Sequence, residues 1–410
     1  MRHRIALCAA VAVVLGVCAN LAAGSSRAGL PPLPARWPAG LQLGMADSPG
    51  GAAALRRAAP FGFRYQYLAG GANTGSGWST WNAAGSFVTR YDIESWAAGM
   101  IPVFSYYQLL QSKPAVAGGE DAVDLAHLDD PATMASYWAD VRLFFERAHG
   151  KKTVVLHVEP DLWGYIEQAA RGDDAATVPA VVPGNLPQTA AGFAQEFVRL
   201  RDALAPNVVL AYHLSGWGTK HDILYEKPPN ATVRAYAARS AAFYRSLGAR
   251  FDVAFEDFSD RDAGYYAVVE HNPKTWFKPA DFERHLLYAA TFVRLAGIRM
   301  VAWQIPLGNT VMRAENNTND HYQDNRVQWL LGPGSQAHLR AYVAAGFVGF
   351  LFGRGADGNT CACDAAGDGV TNPAPIDGNA AASTSPDDDG GYFKQQARAY
   401  YRASLLPLPG

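Results

Sequence analysis

The sequence predicts a single (β/α)8 barrel of the TIM type, an α/β fold with enlarged loops at its C-terminal face. Eight short apolar runs alternate with longer segments of helical periodicity, the order that parallel βαβ units require. About 380 residues remain behind an N-terminal leader, enough for eight such units with long connections. The surplus falls after strands, at 70–90, 163–188, 259–280, 306–330 and 354–391, which a barrel gathers on one face. A doubly wound open sheet is the rival, but "GMADSPGGAAAL" is glycine-rich without the G-x-G-x-x-G spacing of a dinucleotide loop.

The chain opens on basic "MRHR", then the apolar "IALCAAVAVVLGVCANLAAG", then small residues at "LAAGSSRAG". That is the pattern of a secretory signal peptide, expected over 1–28, with an uncleaved anchor as the alternative. Val17 does not suit lipid attachment at Cys18. Residues 29–40 form a proline-rich lead-in, and 41–406 the barrel. The expected strands are "LQLGMAD", "FRYQYLAGG", "MIPVFSYYQ", "TVVLHVEP", "NVVLAYHLSG", "FDVAFEDF", "RMVAWQIP" and "FVGFLFGRG".

Helices between them carry their own signals. Phe193, Phe197, Leu200 and Leu204 recur at helical spacing. The next helix opens on Asn230 as N-cap and closes on Gly248, and later ones close on Gly297 and Gly346. "DGGYFKQQARAYYRASLL" supplies the closing helix.

Composition sets the class of partner. With 49% hydrophobic residues, 18% charged and a net charge of -2, nothing points to nucleic acid or an anionic membrane surface. No segment beyond the leader is apolar enough to anchor the chain in a membrane. Cys8 and Cys18 leave with the leader, while Cys361 and Cys363 in "CACD" are placed for a local disulfide in an exported protein. No neighbouring His or Cys completes a zinc set, and no cofactor is expected.

The strand ends carry the chemistry. In the fourth strand Val155, His157 and Glu159 share one face, and Val154, Leu156 and Val158 the other. The apolar face meets the helices, so His157 and Glu159 are expected inside, and Pro160 ends the strand. In the sixth strand the same logic sends Val253 and Phe255 to the helices and Asp252, Ala254 and Glu256 inward. The fifth strand ends on inward His213. Two carboxyls across a cleft suit glycosidic bond cleavage, one protonating the leaving oxygen while the other attacks or activates water. Glu159 and Glu256 are the expected catalytic pair, with His213, Asp161, Asp257 and His157 as support. The bland alternatives are acids that pair with Arg or cap loops, and a hydrogen-bonded core histidine at 157.

Aromatics at the strand ends and loops fit a groove that stacks on sugar rings: Trp78, Tyr107, Trp163, Trp217 and Tyr265. Gln304, Asn309, His321, Asp324 and Arg326 form a polar set suited to hydroxyl recognition, or else a long solvated loop. Asp364 and Asp368 have the spacing of the first and fifth positions of a calcium loop, but Pro375 stands where the closing acid belongs. A turn-rich loop is the plainer reading.

With acids at the fourth and sixth strand ends, the chain resembles secreted (β/α)8 glycoside hydrolases as a superfamily. Glu159-Pro160-Asp161 is similar to a tripeptide of family-6 cellulases. Val158 stands where the largest retaining clan carries Asn, and its seventh-strand glutamate is absent from "WQIP". The use of the fourth and sixth strands looks more like the α-galactosidase-type barrels, which carry aspartates there. The resemblance implies an exported glycoside hydrolase acting on a poly- or oligosaccharide. A non-catalytic carbohydrate-binding barrel is the alternative, as is a metal-dependent hydrolase built on His157, Glu159, His213 and Glu256.

Overall fold

The structure, a computed structural model, describes residues 29–410; the leader expected over 1–28 lies outside them. The eight strands are β1 (Gln42–Ala46), β2 (Phe63–Leu68), β3 (Ile101–Tyr106), β4 (Val154–Val158), β5 (Val208–Leu214), β6 (Val253–Asp257), β7 (Met300–Ile305) and β8 (Phe347–Phe352). They pair in chain order, all parallel, and β8 closes on β1. Each of the eight predicted runs contains one strand.

One principal helix follows each strand. These are α1 (Ala52–Ala58), α2 (Phe87–Ala97), α3 (Pro131–Ala148), α4 (Ala190–Leu204), α5 (Asn230–Ser246), α6 (Pro279–Ala296), α7 (Gln336–Ala345) and α8 (Tyr392–Arg402). Helix α6 ends on Gly297 at φ 73° and α7 on Gly346 at φ 108°, left-handed caps that favour glycine. Asn230 is the first helical residue rather than the cap, because Pro229 holds the extended backbone that precedes it.

Alternation divides each strand between two cores. Outward Phe104 meets Tyr91 of α2 at 5.3 Å and Phe144 of α3 at 5.6 Å, and outward Tyr212 meets Tyr244 of α5 at 5.0 Å. Inside the barrel, His157 stands 4.6 Å from Phe255 and 4.7 Å from Trp303, and Tyr65 and Tyr67 flank Trp303 at 6.3 and 5.8 Å. The barrel is thus plugged by rings, and ligands can enter only at its ends.

The N-terminal end is sealed by the lead-in and the C-terminal tail. Leu41 N–H donates to Leu406 O at 2.8 Å, and the Trp37 indole to Val348 O at 3.1 Å. Buried Arg299 donates to the carbonyls of Pro31 and Pro409. A cavity of about 370 Å³ beside the lead-in lies at this closed end; its acids, Asp202 and Asp252, are both paired with Arg201.

No helix among the described residues is long and apolar enough to cross a membrane. Cys361 and Cys363 are joined in a disulfide. Asp364 accepts from the N–H groups of Asp368 and Gly369, and Asp368 from that of Val370, so these acids serve the turns of their own loop.

Candidate active site

A cavity of about 400 Å³ opens at the C-terminal end of the barrel. Six of the eight strands, with the loops that follow them, deliver two lining residues each: Tyr67 and Ala69 at the end of β2, Tyr107 and Gln111 after β3, Pro160 and Asp161 after β4. Asp257 and Asp260 come from β6, Trp303 and Gln304 from β7, and Gly355 and Ala356 from β8.

Backbone sign decides which β4 carboxyl reaches it. Glu159, just past the strand, takes φ 38°, and Asp161 takes φ 70°. Such conformations cost non-glycine residues of order 1–3 kcal/mol and gather at functional sites. The first breaks the strand's alternation, so Glu159 does not continue the inward row. Its buried carboxyl instead turns to the end of β3 and accepts the Gln108 N–H at 3.2 Å through both oxygens. The second brings Asp161 to the cavity wall, with no capping bond to the helix that follows it, Leu162–Ala169.

On β6 the expected facing is reversed. Phe255 points inward against His157, so Val253, Phe255 and Asp257 form the inner row and Glu256 points out. There Glu256 meets His285 of α6, Nε2 to Oε2 2.9 Å, and His285 Nδ1 lies 3.2 Å from the Tyr342 hydroxyl on α7. Asp252, expected inward, lies at the strand's base, where it accepts from Leu210 N–H and Arg201. The residue at the mouth is Asp257.

Asp161 and Asp257 therefore face one cavity. Burial, with the charges of Glu120 and Asp260, pushes the Asp161 carboxyl up to about 7. Asp257 is held well above the ordinary carboxylate range by burial first, then by Asp161, Glu256 and Asp260. The Tyr67 hydroxyl is raised by burial and by Tyr65, and then by Asp161, Asp257 and Asp260, so it feels the same acids.

His157 and His213 lie beneath the mouth. His157 Nε2 is 3.0 Å from His213 Nδ1, and its Nδ1 is 3.3 Å from the Ser105 hydroxyl. Burial pushes His157 far down and His213 to about 3, so both rings are neutral at pH 7. The four residues of the metal-site alternative do not converge: two histidines lie inside the barrel, Glu159 beside β3 and Glu256 against α6.

The expected binding residues divide similarly. Tyr107 and Gln304 line the cavity, Gln304 from a backbone at φ 54°. Trp78 and Trp163 are core: each is fully buried, with its indole N–H donated to Asp140 and to Val158 O. Trp217 packs on Tyr165 at 4.9 Å, and Tyr265 lies under the Arg261 guanidinium at 4.9 Å, both off the cavity. Asn309, His321, Asp324 and Arg326 are buried loop fasteners: Asn309 reaches Glu315 and Asp389 O, His321 the carbonyl of Asp388, and Asp324 both Arg326 and Ala263 N–H. Tyr67, Gln111, Asp260 and Trp303 were not among the residues singled out in the sequence. Alternation from Phe63 and Val301 signals Tyr67 and Trp303, whereas nothing local marks Gln111 or Asp260.

No family model matches the chain, and no curated protein sequence does. Solved structures with the same barrel include a modular endo-β-1,4-mannanase of glycoside hydrolase family 26 from Cellulomonas fimi, at 11% identity and TM-score 0.50, covering 90% of this chain and 72% of that one. A family 5 xyloglucan-specific β-1,4-glucanase from a ruminal metagenomic library is 9% identical over 89% of each chain, TM-score 0.44. A glycoside hydrolase-like protein is 11% identical over 90% of this chain and 97% of that one, TM-score 0.38. At 11% identity the likeness to the mannanase is one of fold.

Proposed function

We propose that the protein is an exported glycoside hydrolase of oligo- or polysaccharides, with Asp161 and Asp257 as its carboxyl pair. The observation that carries this is the placement of those two acids, from β4 and β6, on one ring-lined cavity at the C-terminal face. Asp257, held well above the ordinary carboxylate range by burial and the neighbouring acids, is the general acid that protonates the leaving oxygen. Asp161, raised to about 7, is the nucleophile or base and works in its ionised form. Aspartates at these two strand ends match the α-galactosidase-type pattern more closely than the glutamates do. Tyr67, Tyr107 and Trp303 supply faces for sugar rings, and Gln304 supplies hydrogen bonds. Glu159 and Glu256 hold β3 and α6 in place around the pair. The leader and the Cys361–Cys363 disulfide support export.

The test is reducing-sugar release from α- and β-linked oligosaccharide and polysaccharide panels by the chain without its leader, beside Asp161→Asn and Asp257→Asn. Each folded variant is expected to lose at least about a hundredfold in rate. Activity that survives either change removes that residue from the pair. Glycan binding without release, unchanged in both variants, would make the barrel a binding module instead.

A further inference from the structure

We infer that the substrate is a glycan carrying free amino groups, an oligomer of 2-amino-2-deoxyhexoses, with Asp260 as the residue that recognises the ammonium. The inference rests on the glycosidase reading above and concerns the same cavity.

Two carboxyls suffice for hydrolysis, yet the cavity wall holds three, Asp161, Asp257 and Asp260, and no Lys, Arg or His. The basic residues that adjoin lining positions in the chain are already engaged. Arg261 lies 3.7 Å from Asp260 and over the Tyr265 ring, and Arg354 pairs with Asp357 and with Asp320 at 3.6 Å. An acidic glycan would meet repulsion here, whereas an ammonium group would be attracted.

The rest of the wall also suits a cation. Tyr67 lies 6.4 Å from Tyr107 and 5.8 Å from Trp303, so three aromatic rings stand beside the three carboxyls. Aromatic faces with acids at their edge are how proteins hold ammonium groups. Trp303 adds an independent mark of a ligand: it lines the cavity, is only 2% exposed, and its indole N–H has no partner. A buried donor of this kind is costly unless something accepts from it, as a sugar hydroxyl would.

Asp260 is the acid placed at the rim for this task, with the Arg261 guanidinium 3.7 Å from one of its oxygens. Its side chain is 52% exposed at the rim, and the Tyr266 hydroxyl donates to one of its oxygens and fixes its direction. An ammonium bound there also stabilises the ionised form of Asp161, which Asp260 otherwise disfavours. Recognition and activation of the nucleophile are then coupled.

The experiment compares α- and β-linked hexosamine oligosaccharides as free amines and after N-acetylation. Wild type is measured beside Asp260→Asn and Asp260→Glu, with thermal midpoints to establish folding. The free amines are expected to be cleaved with kcat/KM at least about tenfold above their acetylated forms. That preference should weaken with added salt, collapse through KM in Asp260→Asn, and persist in Asp260→Glu. Faster cleavage of acetylated or neutral glycans overturns the inference and leaves the glycosidase reading standing. If nothing is cleaved, calorimetric titration with the same oligosaccharides decides. Binding of the free amines alone upholds amine recognition while the hydrolase reading fails, and no binding of free amines sinks the inference.

Discussion

Glu159 and Asp161 stand two residues apart, yet one is sealed against β3 and the other meets the cavity. The difference gives a sharp expectation. Burial pushes Glu159 up to about 8, so at neutral pH it is largely a carboxylic acid, which Gln copies in shape and in the acceptor offered to Gln108 N–H. Glu159→Gln should therefore cost less than about tenfold in kcat/KM, where Asp161→Asn should cost at least about a hundredfold. Steady-state kinetics on the folded variants decides, and equal losses would return Glu159 to the chemistry. Asp161 also sets a pH limb. Activity should rise through about pH 7 as it ionises, and Glu120→Gln, which removes the charge that does most after burial to raise it, should move that limb to lower pH. An unmoved limb would assign it to another group. Positive φ at 159 and 161 is invisible in the sequence, because neither residue is glycine; the motif was legible, but not which of its two acids faces the substrate.

Strand β6 shows how far alternation carries at the scale of an element. Period two was legible in "FDVAFEDF", but either face could have been the inner one, since each includes an acid and an apolar residue. What settles it is tertiary: Phe255 fills the space beside His157, and His285 waits outside for Glu256. The strands and principal helices could be read because periodicity and caps are local. The indoles of Trp78 and Trp163 could not, because their burial depends on α3 and on a main-chain acceptor brought round by the fold. The Glu256–His285–Tyr342 chain ties β6 to α6 and α7. Glu256→Ala leaves the His285 nitrogen buried without its partner and should lower unfolding free energy by about 2–4 kcal/mol, Glu256→Gln by less. Urea denaturation measures both, and a neutral Glu256→Ala would mean that the chain holds nothing together.

Across the described residues, burial raises many carboxyls above their ordinary range. Glu167 and Asp262 are raised to about 8, Asp124 to about 9, and Asp388 and Asp389 to about 7, with burial first among the causes in each. Three of them sit in the loops after β6 and β8, where Asp262 accepts from Gly308 and Thr360, and Asp389 from Gly391 and Phe393. A carboxyl whose folded value lies above its unfolded one binds a proton in the native state that the unfolded chain has released. Stability from these groups is full below about pH 4 and is lost progressively as pH rises through the folded values of about 7–9. Glu94 and Asp281 have the opposite sign: although burial opposes it, hydrogen bonds from backbone N–H groups and arginine hold them low, so their contribution disappears only in strong acid. The denaturation midpoint should therefore peak on the acid side of neutrality, at about pH 4.5–6, and decline steadily toward pH 9. A urea midpoint that climbs from pH 5 to 9 would contradict the raised carboxyls as a group. The window in which stability falls is also the one in which Asp161 ionises, so activity should be gained with pH while the loops that frame the site loosen, the trade that a site built of uncompensated acids imposes.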